Sequence, residues 1–193
     1  MQRLVSAAIS LVLTLFLACS TACAQTTLPS YPDSSEGLSR FFNDMLVATV
    51  ARDQGRLLAM SQSLILPNSD AWFKKVFGKE KGAKLDATYK EETKNFGPAL
   101  AVLFLRLRDP AQMKVTTVRV EAADDINAKA YQSIAMRIME NPVPLYSVAL
   151  VKEGVADKIE IWSIVYHDGG FRVVGMMRGV YESPTTQGKP SVR

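Results

Sequence analysis

The single histidine of the chain, His167, is the one side chain whose ordinary pKa lies near neutrality, so it is the first candidate for general acid–base chemistry. It stands immediately before Asp168-Gly169-Gly170, a hairpin turn where side chains point to solvent. Glu160, Trp162, Ile164 and Tyr166 alternate along one apolar run, and on a strand alternation puts them on one face. Facing a pocket, Glu160 would serve as a base, and Trp162 or Tyr166 would stack on a ligand. The catalytic candidates are therefore His167, Glu160 and Tyr166. Trp162, Tyr146, Arg172 and Arg178 are the candidates for holding an anionic or aromatic ligand. Each also has a plainer reading, as core packing or surface charge.

Other chemistries fall away by composition. The two cysteines, Cys19 and Cys23, lie in a segment with the three parts of a secretory signal. Arg3 supplies the positive start, Leu4 to Ala18 an uncharged apolar stretch, and Ala22-Cys23-Ala24 the small residues a signal peptidase requires. The cut is expected between Ala24 and Gln25, giving an exported protein of the periplasm or exterior. An uncleaved anchor needs roughly 20 apolar residues, and this run is shorter. A lipoprotein signal is the minor alternative, since neither Phe16-Leu17-Ala18 before Cys19 nor Ser20-Thr21-Ala22 before Cys23 follows the usual lipidation pattern.

The mature domain is thus expected to be free of cysteine, which removes thiol nucleophiles, disulfides and thiolate metal sites. With one histidine, no metal site or cofactor is expected. Gly78 to Lys84 lacks the spacing and ending of a phosphate loop, and Asp124-Asp125 lacks the further ligands of a calcium loop. No serine sits in a nucleophile elbow. The net charge of +4 includes a basic stretch from Lys74 to Lys94, but Glu80, Asp86, Glu91 and Glu92 interrupt it. That is a solvated helix surface rather than a nucleic-acid footprint.

The elements that must position the candidates are read from periodicity. Residues 25–35 are polar with two prolines and read as a disordered or extended leader. Asp33 with Glu36 resembles a capping box opening a first helix, whose Leu38, Phe41, Phe42, Met45, Leu46 and Val50 recur at helical spacing. A second helix is expected over Gln54 to Ser63 and a third after Asn68 or Ser69, with Trp72, Phe73, Val76 and Phe77 on its core face and Gly78 at its end. Lys79 to Phe96 reads as a fourth, with Pro98 opening a fifth. The apolar run Ala99 to Leu107 is expected to be deeply buried.

The period then changes. Met113 to Glu121 is strand-like, and Tyr131, Ile134, Ala135, Ile138 and Met139 return to helical spacing. Leu145 to Lys152, Lys158 to His167 and Phe171 to Arg178 follow as strands joined by glycine turns. Helices first and an antiparallel meander last predict an α+β fold, one domain over residues 36–182, with a frayed tail over 183–193.

The closing stretch Trp162 to Gly175, a strand, an Asp-Gly-Gly turn and a strand after several helices, resembles nuclear transport factor two-like proteins. These include the ketosteroid isomerase-like and polyketide cyclase-like families and exported bacterial proteins of unassigned function. The resemblance implies a curved antiparallel sheet wrapped cone-like around a helix, with an internal pocket and a tendency to pair as a homodimer. The acid–base residues of the catalytic members do not map onto positions here, so catalysis is not carried over. The expected function is an exported, non-catalytic domain of the cell envelope that binds an apolar small molecule or another subunit. It has no nucleic-acid partner and no membrane span once the signal is removed. The alternatives are a small-pocket acid–base enzyme of isomerase or hydratase type and a lipid-anchored envelope assembly factor.

Overall fold

The computed structural model describes residues 28–154 and 158–175. The signal segment with its Ala24–Gln25 cut, Arg178 and the 183–193 tail lie outside the described residues. The fold is mixed α+β, with five helices ahead of the first strand and a sixth between the first two strands. The helices are α1 (Ser35–Val50), α2 (Gln54–Ser63), α3 (Ser69–Phe77), α4 (Lys79–Thr93), α5 (Phe96–Leu105) and α6 (Ala130–Ile138). The strands are β1 (Met113–Val120), β2 (Leu145–Lys152), β3 (Lys158–His167) and β4 (Gly170–Val173), paired in chain order as an antiparallel meander.

Within residues 28–34, Tyr31 is buried in the core and Leu28 packs partly against it, while Pro29, Ser30, Pro32 and Asp33 are exposed. The cap of α1 is Ser34, whose Oγ accepts from Gly37 N–H at 3.0 Å. Asp33, expected in that role, is instead an acceptor for Tyr146.

The fourth helix stops at Thr93, earlier than expected, and α5 begins at Phe96. Pro98 therefore falls in its first turn, where a missing N–H has no helical partner to lose. The rest of the apolar run is not deeply buried. Leu100, Ala101 and Phe104 reach the core, while Val102, Leu103 and Leu105 are exposed. A helix offers one stripe to a core, and a uniformly apolar run carries no period to say which.

In α6 the buried face is Gln132, Ala135 and Met136, while Tyr131 and Ile134, expected to face inward, are each 39% exposed. Hydrogen bonding explains the rotation. Gln132 Oε1 accepts from Lys129 N–H at 3.0 Å and its Nε2 donates to Ser147 Oγ at 3.1 Å, so a polar amide is satisfied in the interior.

The sheet carries a core on each face. Tyr146, Val148, Leu150, Ile164, Phe171 and Val173 pack with α1, α2 and α5. Val120, Leu145, Val165 and Val174 pack with α3, α4 and α6. One irregularity organises this division. Tyr146 pairs with Ile164 and Ser147 with Trp162, which leaves Ser163 between them as a bulge at φ 59°. Its carbonyl accepts from Val174 N–H at 2.8 Å. The extra residue reverses the alternation of β3. Ile159, Ile161, Ile164 and Tyr166 lie on the α1 side, whereas Glu160, Trp162 and Val165 lie on the other. The single face expected for Glu160, Trp162, Ile164 and Tyr166 is therefore two faces.

At the far edge, Val173 N–H donates to Leu64 O at 2.7 Å, and Ile65 forms a parallel bridge with Val173, covering β4 with the segment after α2. The β3–β4 turn places Asp168 and Gly169 at φ 48° and 71°, the left-handed pair of a type I′ hairpin that glycine enters without strain. Strand β4 ends at Val173, shorter than the expected run to Arg178.

Candidate functional site

Between β1–β3 and the loop leading into α6 lies a cleft of about 480 Å³, on the face that the Ser163 bulge gives to Glu160 and Trp162. Its floor is a set of cross-strand rows. Thr116 pairs with Ala149, and Ala149 with Glu160; Ser147 pairs with Trp162. Val118 and Val151 complete the apolar part. Small side chains at the strand centres leave the space, since the neighbouring positions with larger groups point through the sheet into the other core. Trp162 forms one wall, stacked on Tyr131 with ring centroids 5.9 Å apart and planes within 18°.

The hydroxyls of the floor are satisfied. Ser147 Oγ sits against the buried Gln132 amide, and Thr116 Oγ1 donates to Ala149 O at 3.3 Å. The mouth is charged. Glu160 Oε1 lies 2.9 Å from Lys158 Nζ and 3.5 Å from Lys129 Nζ. The hydrogen bond from Lys158 holds the Glu160 carboxyl below its ordinary value, ahead of an opposing contribution from burial. Glu160 is thus an ionised counter-ion at neutral pH, unlike the raised carboxyl of a general acid or a base poised near 7. Over the rim stands Ile126, an apolar side chain 97% exposed. Its loop is braced by Asp125, which accepts from Asn127 N–H at 2.8 Å.

Of the candidate residues that are described, the cleft gathers Glu160 and Trp162. Tyr166 is on the opposite face, where its Oη donates to Tyr31 O at 2.9 Å. Tyr146 also faces the α1 core, giving its O–H to Asp33 and packing edge-on against Phe171. The Arg172 guanidinium donates to Ser63 O at the end of α2. His167 is half-buried beside the turn, with Nε2 3.4 Å from the Asp168 carboxylate. Lys129, Lys158, Ser147 and Gln132 were not singled out. The one signal for them was local: Lys129 three residues before Gln132 at a helix start, the spacing of a capping pair.

Among the described residues, no group of three or more His, Cys, Asp or Glu side chains is placed to hold a metal ion, and no helix is long and apolar enough to cross a membrane. Comparison with protein-family models, with curated proteins and with solved structures finds no match to this chain.

Proposed function

We propose that the chain is an exported, non-catalytic binding domain whose ligand site is the cleft under the 126–129 loop. The export part rests on the Arg3, Leu4 to Ala18 and Ala22-Cys23-Ala24 pattern. The binding part rests on one observation above all: an open cleft of about 480 Å³ with an apolar floor and a charged mouth, within the roughly 300–1,000 Å³ typical of small-molecule sites. The acid–base alternative is less well supported, because the groups it would use are committed elsewhere. Glu160 is neutralised by two lysines, and Tyr166 is on the far side of the sheet.

Trp162 provides the test. The other tryptophan, Trp72, is buried in the α3–α4 core, so a Trp72→Phe protein reports on the cleft alone. A small apolar or amphipathic compound is expected to change Trp162 emission saturably, and Ala149→Trp, which fills the floor, is expected to abolish the change. Binding that survives Ala149→Trp in a folded protein sinks the cleft reading.

A partner-binding reading is favoured by a different surface. Val47 and Val50 of α1, 58% and 55% exposed, adjoin Pro110, Ala111 and Met113 in a shallow apolar groove. Sedimentation of the purified protein tests whether a second copy covers them, and a monomer at tens of micromolar removes the homodimer.

A further inference from the structure

We infer that the ligand of this cleft is a free monoanionic amphiphile, a carboxylate on an apolar body, whose head is taken by Lys129. The inference rests on the cleft being a binding site and adds the class of ligand.

Three observations carry it. The first is the charge at the mouth. Lys129 and Lys158 share the single carboxylate of Glu160, so the mouth holds one positive charge in excess. A monoanion neutralises it, while a cation meets two ammonium groups across one carboxylate.

The second is the inequality of the two contacts. Lys158 lies at 2.9 Å and is the hydrogen bond that lowers the Glu160 carboxyl most, whereas Lys129 stands at 3.5 Å. Lys129 is also the cation placed on the loop side, at the start of α6, where its backbone N–H is fixed by Gln132. Its ammonium can turn from Glu160 to an incoming carboxylate while Glu160 keeps Lys158. An exposed ion pair of that length gives up little when it exchanges one oxygen partner for another.

The third is the apolar surface the chain leaves in water. Ile126 touches no core at the rim, and Val118, Ala149, Val151 and Trp162 are only partly covered. A hydrocarbon or aromatic body lying on the floor would cover these side chains together and place its tail against Ile126. The hydroxyls of Thr116 and Ser147 are already bonded within the sheet and to Gln132, so the floor makes no demand for a polar body.

The test uses the Trp72→Phe chain with decanoate, decanol and decyltrimethylammonium, each below its aggregation concentration. Decanoate is expected to bind about tenfold or more tighter than decanol, the size of a hydrogen bond between charged groups. The ammonium compound should not bind. Lys129→Gln should remove that preference, Lys129→Arg should keep it, and Glu160→Gln should strengthen decanoate binding. Equal binding of decanoate and decanol, with both lost in Ala149→Trp, overturns the charge inference and leaves the cleft reading standing. No binding of any of the three, or binding indifferent to Ala149→Trp, overturns the cleft reading itself. Anionic lipid vesicles that bind where decanoate does not would assign the lysines to a membrane headgroup and overturn the free amphiphile.

Discussion

Tyr146 donates its phenolic O–H to Asp33 Oδ1 at 2.6 Å across a sequence separation of 113, tying the segment ahead of the first helix to the second strand. Two further tyrosines complete the attachment. Tyr31 donates to Asp44 Oδ2 at 2.6 Å, and Tyr166 donates to Tyr31 O at 2.9 Å. A polar, proline-flanked stretch thereby becomes part of the folded body.

Removal of the Tyr146 hydroxyl tests this attachment. Tyr146→Phe keeps the ring, which is 1% exposed, and loses only the bond to Asp33. The expected cost is about 1–2 kcal/mol in urea unfolding. Burial, and then the adjacent Asp33, pushes the Tyr146 phenol above its ordinary value of 10.0. A raised phenol contributes stability that is full below pH 10 and declines as pH rises toward the folded value. Absorbance titration near 295 nm should show Tyr146 and Tyr31 ionising only with unfolding. Ionisation of every tyrosine in the folded protein near pH 10 would contradict it.

A backbone close approach makes a second prediction. A Cβ at Gly37 would stand 2.0 Å from the Pro32 carbonyl oxygen, which is main chain and cannot swing aside. Gly37→Ala is expected to cost about 1–3 kcal/mol, despite alanine being the better helix former. Limited proteolysis should show faster cleavage within residues 28–34. A thermal midpoint at or above wild type would mean the strap is not seated as described.

Acid stability is predicted to depend on Asp86. This nearly buried carboxylate of α4 accepts from Ser69 Oγ at 2.5 Å and from Lys90 Nζ at 2.6 Å. Burial acts to raise its pKa, but the bonds from Lys90 and Ser69 outweigh it and the net shift is downward from 3.8. A lowered carboxyl contributes stability present above pH 3.8 and lost as pH falls through the folded value. Asp86→Asn should cost about 1–3 kcal/mol at neutral pH and flatten the acid limb of the stability curve. An unchanged acid limb would show that other carboxylates govern it.

The bulge gives a prediction of opposite sign. Ser163 is held at φ 59°, and its Oγ is buried without a hydrogen-bond partner among the described residues. Ser163→Gly is expected to stabilise the protein by about 1 kcal/mol, by removing both the left-handed strain and the unsatisfied hydroxyl. Deleting residue 163 should leave Ile164, Val165 and Tyr166 on their present faces, because alternation then runs regularly on from Trp162, and its expected cost is the loss of the bond between the Ser163 carbonyl and Val174 N–H.

Much of the architecture was legible in the sequence for identifiable reasons. The limits of α2, β2 and β3 coincide with capping and glycine-turn residues that end those elements on their own chemistry. Ser163 was not legible, since nothing distinguishes a bulged serine from a paired one inside an apolar run. A regular strand would put Tyr166 beside Glu160 and Trp162, on a face that the bulge divides in two. Gln132 misled because polar residues are read as outward, and its partner Ser147 lies on another element. Lys129 and Lys158 meet only across Glu160, through a strand register that periodicity cannot supply.

The bridge between Ile65 and Val173 has a consequence for time as well as for shape. With Tyr146 and Tyr166 holding Asp33 and Tyr31, it joins the first part of the described chain to the last. Contacts of such separation place a protein toward the slow end of folding rates, because the intervening loop must close before they form. The helices can arise locally as they are synthesised. The bridge from Ile65 waits for β4, whereas the bonds that hold the segment before α1 need only β2 and β3, so that segment can latch before the edge of the sheet is covered.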